Sequence, residues 1–115
     1  MAINVNPSAG DVEITLCGED HTLKCSLQAA MALSAADGGI IRLTNRVRDF
    51  DMGVYITIIS IGLGKNKPKD LAEKVYQNGM LDLQVPLINF LTNLANGGKP
   101  FEDSAEEEKK PDPLE

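Results

Sequence analysis

The chain has 115 residues, 43% of them apolar, which suits one domain with a modest core and leaves no room for a second. A formal charge of -6 and a pI near 4.7 set it against phosphate backbones and anionic membrane surfaces, so neither nucleic acid nor a membrane is expected as a partner. No apolar run approaches the roughly 18 to 20 residues of a bilayer span, and the start MAINVNPSAG has neither part of a secretory signal; a cytoplasmic protein is expected.

Residues 1 to 8 are polar and broken by Pro7, and are expected to form a flexible terminus ahead of a single domain over 9 to 100. Val12, Ile14 and Leu16 then alternate with Glu13, Thr15 and Cys17; beyond Gly18, Glu19 and Asp20, the residues Leu23, Cys25 and Leu27 alternate with Thr22, Lys24 and Ser26. This is the pattern of a β-hairpin with one buried face. A loop centred on Glu19 and Asp20 sets Leu16 opposite Leu23, Ile14 opposite Cys25 and Val12 opposite Leu27. Cys17 then points away from Cys25, so both are expected as free thiols, with Cys25 in the core.

Ser26 is a candidate N-cap for LQAAMALSAA, a segment of strong helix formers that Gly38-Gly39 can stop, giving a first helix over about residues 27 to 37. Ile40, Leu43, Val47 and Phe50 follow at spacings of three, four and three, the stripe of an amphipathic second helix. Residues 52 to 63, MGVYITIISIGL, carry β-branched residues that favour strand; the length of the run and a capping Asp51 predict a helix. Pro68 suits the first turn of a fourth helix whose apolar side is Leu71, Ala72, Val75 and Tyr76, ending at Asn78-Gly79. A last helix buries Leu83, Leu87, Phe90, Leu91 and Leu94; Pro86 fits only in its first turn, which places the start near Gln84 or Val85, and Gly97-Gly98 and Pro100 end it. The fold expected is therefore α+β, an N-terminal antiparallel hairpin followed by four to five short helices.

The remaining segment, residues 101 to 115, holds seven acidic residues against two lysines, a net of -5 that leaves the rest of the chain near -1. Its low hydrophobicity and prolines predict a disordered acidic tail.

Candidate chemistry fails at named positions. His21, the only histidine, sits in what the pattern makes a polar turn, and no serine or cysteine has an evident base. Gly62-Leu63-Gly64-Lys65 starts like the end of a phosphate loop, but Asn66 replaces the needed Ser or Thr and Ile59 stands at the first glycine. Asp49 to Gly53 begins like a calcium loop, but Gly53 and Ser60 occupy two ligand positions. No enzyme, cofactor or metal is expected. Two surfaces remain. Arg42 and Arg46, one helical turn apart, could grip an acidic partner or the tail. The third helix is apolar nearly all round: Met52, Ile56, Ile59 and Leu63 form one stripe, and Val54, Tyr55, Ile58 and Ile61 cover most of the rest. A central place in the domain accounts for that, and a face carrying Tyr55 and Ile59 turned to a partner or another copy accounts for it too.

The order of parts, GDVEITLCGEDHTLKCSLQAAMALSAADGG followed by short apolar helices that include GVYITIISIGLGK, resembles the tail assembly chaperone family of phages and gene transfer agents. The likeness covers about residues 9 to 98 and rests on the hairpin with Gly18 in its turn, the Ala-rich helix ending at Gly38, and the apolar helix ending in Gly62-Leu63-Gly64. It implies a protein of the bacterial host cytoplasm that coats the tape measure protein and keeps its long apolar helices soluble while the tail tube polymerises. Its partners would be the tape measure protein or another tail protein, with homo-oligomers possible in principle. The alternative is a structural tail component, such as a tube or tube-completion protein. The resemblance brings no catalytic residues with it.

Overall fold

The computed structural model describes residues 10 to 36 and 38 to 100; the expectations for residues 1 to 8, for Asp37 at the end of the first helix and for the tail over 101 to 115 lie outside the described residues. Strands β1 (Val12–Leu16) and β2 (Glu19–Leu23) pair antiparallel, with Val12 opposite Leu23, Ile14 opposite His21 and Leu16 opposite Glu19. The turn is therefore Cys17-Gly18, two residues earlier than the pattern predicted. Both turn residues have left-handed backbones (φ 51 and 86), the geometry whose twist matches a two-residue hairpin. Cross-strand polar pairs on the outer face fit this register: Thr15 Oγ1 donates to Asp20 Oδ1 (2.9 Å) and Thr22 Oγ1 to Glu13 Oε2 (3.1 Å). The difference from the expected pairing is an even number of residues, so Ile14, Leu16 and Leu23 still point inward and are buried. Cys25 and Leu27 fall outside the ladder, and His21 lies in a strand and not in the turn.

Leu27 instead opens helix α1 (Leu27–Ala35), where the Ser26 side chain accepts from the Ala29 N–H at 3.0 Å, and Ala29 and Leu33 turn inward. Helix α2 (Ile40–Arg48) buries Leu43 and Val47. Phe50, the fourth residue of the expected stripe, lies past the helix end with φ 58 and stays partly exposed, its ring stacked on Tyr55. Helix α3 (Met52–Leu63) forms as predicted: Asp51 caps it by accepting from the Val54 N–H, and burial of Val54, Tyr55, Ile58, Ile59 and Leu63 outweighs the strand preference of its residues. Of its twelve residues only Gly53 and Thr57 are exposed, because α1, α2, β2 and the two helices still to come pack around it.

A 3-10 turn over Gly64–Asn66 follows, and then α4 (Leu71–Asn78). Pro68 lies three residues ahead of that helix and not in its first turn. The short, peripheral α4 touches the core along one edge, so Leu71 and Val75 are buried while Ala72 and Tyr76, a step round the helix, are exposed; the expected apolar side was too wide. A second 3-10 turn, Leu81–Leu83, leads into α5 (Gln84–Ala95), with Pro86 in the first turn, where no intrahelical donor is needed. Leu83, Leu87, Phe90, Leu91 and Leu94 are all buried as predicted.

The ends of the described chain meet. Asn93 of α5, a buried polar residue, donates through Nδ2 to the Gly10 carbonyl (3.0 Å), and the Gly98 N–H donates to the Asn93 carbonyl (2.8 Å). A Cβ on Gly10 would lie 2.4 Å from the Gly98 carbonyl oxygen, so the two backbones approach as only glycine allows. The architecture is α+β: among the described residues, a two-stranded hairpin and five α-helices share one core around α3.

Candidate protein-docking face

Tyr55 and Ile59, expected on a partner-facing surface, have 0% exposure and belong to the core. The Tyr55 hydroxyl donates to the Val47 carbonyl at 2.8 Å; burial pushes its pKa above the usual tyrosine range, and a hydrogen bond from the Gln84 side chain offsets part of the rise. The arginines are on the surface but do different things. Arg46 reaches Asp51 at 3.3 Å and so braces the residue that caps α3. Arg42 is exposed, its stem lying across Gly38.

The other groups weighed for chemistry are placed as follows. His21 is largely covered (side chain 15% exposed), with Nε2 3.6 Å from Glu19 Oε1 and without a hydrogen bond. The Cys17 thiol is exposed at the hairpin tip, where the backbone N–H donates to Asn78 Oδ1 (2.9 Å) and Sγ to the Lys74 carbonyl (3.5 Å), tying the hairpin to α4. Cys25 is half-buried and donates to the Gly10 carbonyl at 3.2 Å; burial first and the neighbouring Asp11 carboxylate second push its pKa up to about 11, so at neutral pH it is a thiol and a poor nucleophile. Both cysteines are free. Among the described residues no three His, Cys, Asp or Glu side chains gather as metal ligands, and no helix is long and apolar enough to cross a membrane.

The structure brings together a surface that sequence reasoning missed. Gln84 Nε2 donates to the Val47 and Arg48 carbonyls (3.4 and 3.3 Å), which ties the start of α5 to the end of α2 and sets the two helices antiparallel. Along their outer seam runs a hollow of about 270 Å³ bounded by Ile41, Thr44 and Arg48 on one side and by Ile88, Thr92 and Ala95 on the other. On the far side of α5 a second hollow, about 480 Å³, lies between Leu27 and Ala30 of α1 and Leu94 and Ala95 of α5. Ala95 lines both, so the two shallow, largely apolar hollows adjoin at the end of α5, one reaching α1 and the other α2. Leu27 (75% exposed) and Ile41 (76% exposed) stand at the edges, and the exposed Met31 and Val85 lie four residues after Leu27 and three before Ile88 on their helices. Isolated exposed apolar residues are ordinary; several on adjoining helices beside two hollows make this a candidate interaction surface.

No family model matches the chain, and neither a curated protein nor a solved structure matches it significantly.

Proposed function

We propose that this protein is a phage or prophage tail assembly chaperone that binds the tape measure protein and keeps it soluble while the tail is built. The observation that carries the reading is the pair of apolar hollows that adjoin at Ala95 and are edged by Leu27 and Ile41, joined to the order of hairpin and helices that resembles the family. A long helical client has an apolar stripe that would otherwise aggregate, and laying it into a groove between helices is a common way to cover such a stripe. Each Leu or Ile side chain newly buried contributes about 1.5 to 3 kcal/mol before the costs of association, so a few contacts give binding that is useful and reversible without a nucleotide. The role is one of binding and not of catalysis.

Mass spectrometry of lysates and of purified finished particles tests this. A chaperone is present during assembly and absent from the particles; recovery at fixed copy number in particles would instead establish a structural tail component.

A further inference from the structure

Helices α1 and α5 contain no ionisable residue, and the only charged side chains on α2 are Arg42, Arg46 and Arg48. The three helices that form the docking face thus carry positive charge alone, although the chain as a whole is at -6. Arg48 lines the hollow between α2 and α5, its guanidinium 3.4 Å from Asn45 Oδ1, and Arg42 is exposed one step round the same helix from Ile41. Arg46 is committed to Asp51. From this we infer that the occupant of the face is an amphipathic α-helix of another protein whose apolar stripe is bordered by Glu or Asp. The stripe covers Ile41, Ile88 and Ala95, and the acidic border meets Arg48 and Arg42.

Each part of the pairing has a physical reason. An apolar stripe removes Ile41 and Val85 from water, and a client helix seated in the seam excludes solvent around Arg48. A carboxylate opposite Arg48 or Arg42 is then favoured over an ammonium, which adds like charge beside the arginines of α2. The border therefore selects among helices of equal hydrophobicity. The inference deepens the tail assembly reading by giving the chemistry of the client, and rests on it only for the client's biological identity.

The test uses the full chain and three synthetic helices of about 20 residues, long enough to hold helical structure. They share one Leu/Ala stripe and carry Glu, Gln or Lys along its borders. Fluorescence anisotropy gives affinity, and amide chemical shifts of the labelled protein give the footprint. The Glu-bordered helix is expected to bind at least about tenfold more tightly than the Lys-bordered one at low salt, with the gap closing as salt screens the charges. Shifts should fall on α2 and α5. Arg48→Glu should invert the preference and Ile41→Glu should weaken all three, with both variants checked for native circular dichroism. Equal affinities, no binding, or a footprint elsewhere would overturn the inference. So would a face that is already filled, seen as binding that appears only after truncation at Pro100, or as a dimer that Ile41→Glu dissolves. Preference for the Glu border in a protein that proves unrelated to tails leaves this inference standing and removes only the tail assembly reading.

Discussion

Tyr55 carries a polar group into the centre of the molecule because the Val47 carbonyl at the end of α2 accepts its hydroxyl at 2.8 Å. Tyr55→Phe leaves the ring packing and removes that bond, and should lower the unfolding free energy by about 1 kcal/mol in a denaturant titration. Ile59 is fully buried in the apolar core, so Ile59→Asp should unfold the domain, with a loss above about 4 kcal/mol, whereas Ile41→Glu on the open face should stay within about 0.5 kcal/mol of the parent. The reverse result for this pair would exchange core and surface. Cys25 gives a pH test. Its folded-state pKa is raised from 9.0 to about 11, so the protonated thiol is favoured by folding; that contribution is complete below about pH 9 and disappears as pH rises through about 11. Alkylation at pH 8 followed by peptide mass mapping should modify the exposed Cys17 and leave Cys25 largely unmodified until the pH approaches 11.

The elements differ in how far the sequence discloses them, and the difference follows from which signals are local. Three helix starts are legible because caps and breakers act within a few residues: Ser26 before α1, Asp51 before α3 and Pro86 in the first turn of α5 all do what their positions predict, whereas Pro68 lies ahead of α4 and α1 and α2 end before Asp37 and Phe50. Hairpin register was not legible, since turns at Cys17-Gly18 and at Glu19-Asp20 leave the same residues facing inward, and hydrophobic alternation cannot separate them. Pairing on the outer face, Thr15 with Asp20 and Glu13 with Thr22, holds the information that decides it. Where elements converge the fit is close. The Gly62 carbonyl accepts from the Lys24 N–H (3.0 Å), and a Cβ at Gly62 would stand 2.8 Å from Leu23 Cδ2 and 3.3 Å from Phe90 Cζ. Gly62→Ala should therefore force hairpin, α3 and α5 apart and cost about 1 to 3 kcal/mol, read as a lowered Tm; an unchanged Tm would mean that this junction is loosely packed.

Over the whole molecule, the pattern that finds the core cannot find the candidate docking face. A stripe reading reports which side of each helix is most apolar, and it recovered Leu43 and Val47 of α2 and the buried row of α5. It does not report which second row stays uncovered once five helices have packed. Ile40 and Ile41 are neighbours, and α2 can turn only one of them toward the core; Val85 and Ile88 lie off the row made by Leu87, Phe90, Leu91 and Leu94. The same limit misplaced Tyr55 and Ile59: an all-round apolar helix satisfies both a central and a partner-facing position, and the wrapping of α3 by its neighbours decides for the first. Arg42 stayed on the surface as expected, while Arg46 is bound to Asp51, a pairing that one helix cannot reveal. The most direct test of the proposed function is co-expression with a long, helical phage tape measure protein, the client that the proposal names. A soluble client that co-purifies with the wild-type chain and is lost to the pellet with a Leu27→Glu/Ile41→Glu variant that still folds is the expected result; a client equally insoluble, or equally soluble, with both would overturn the proposal.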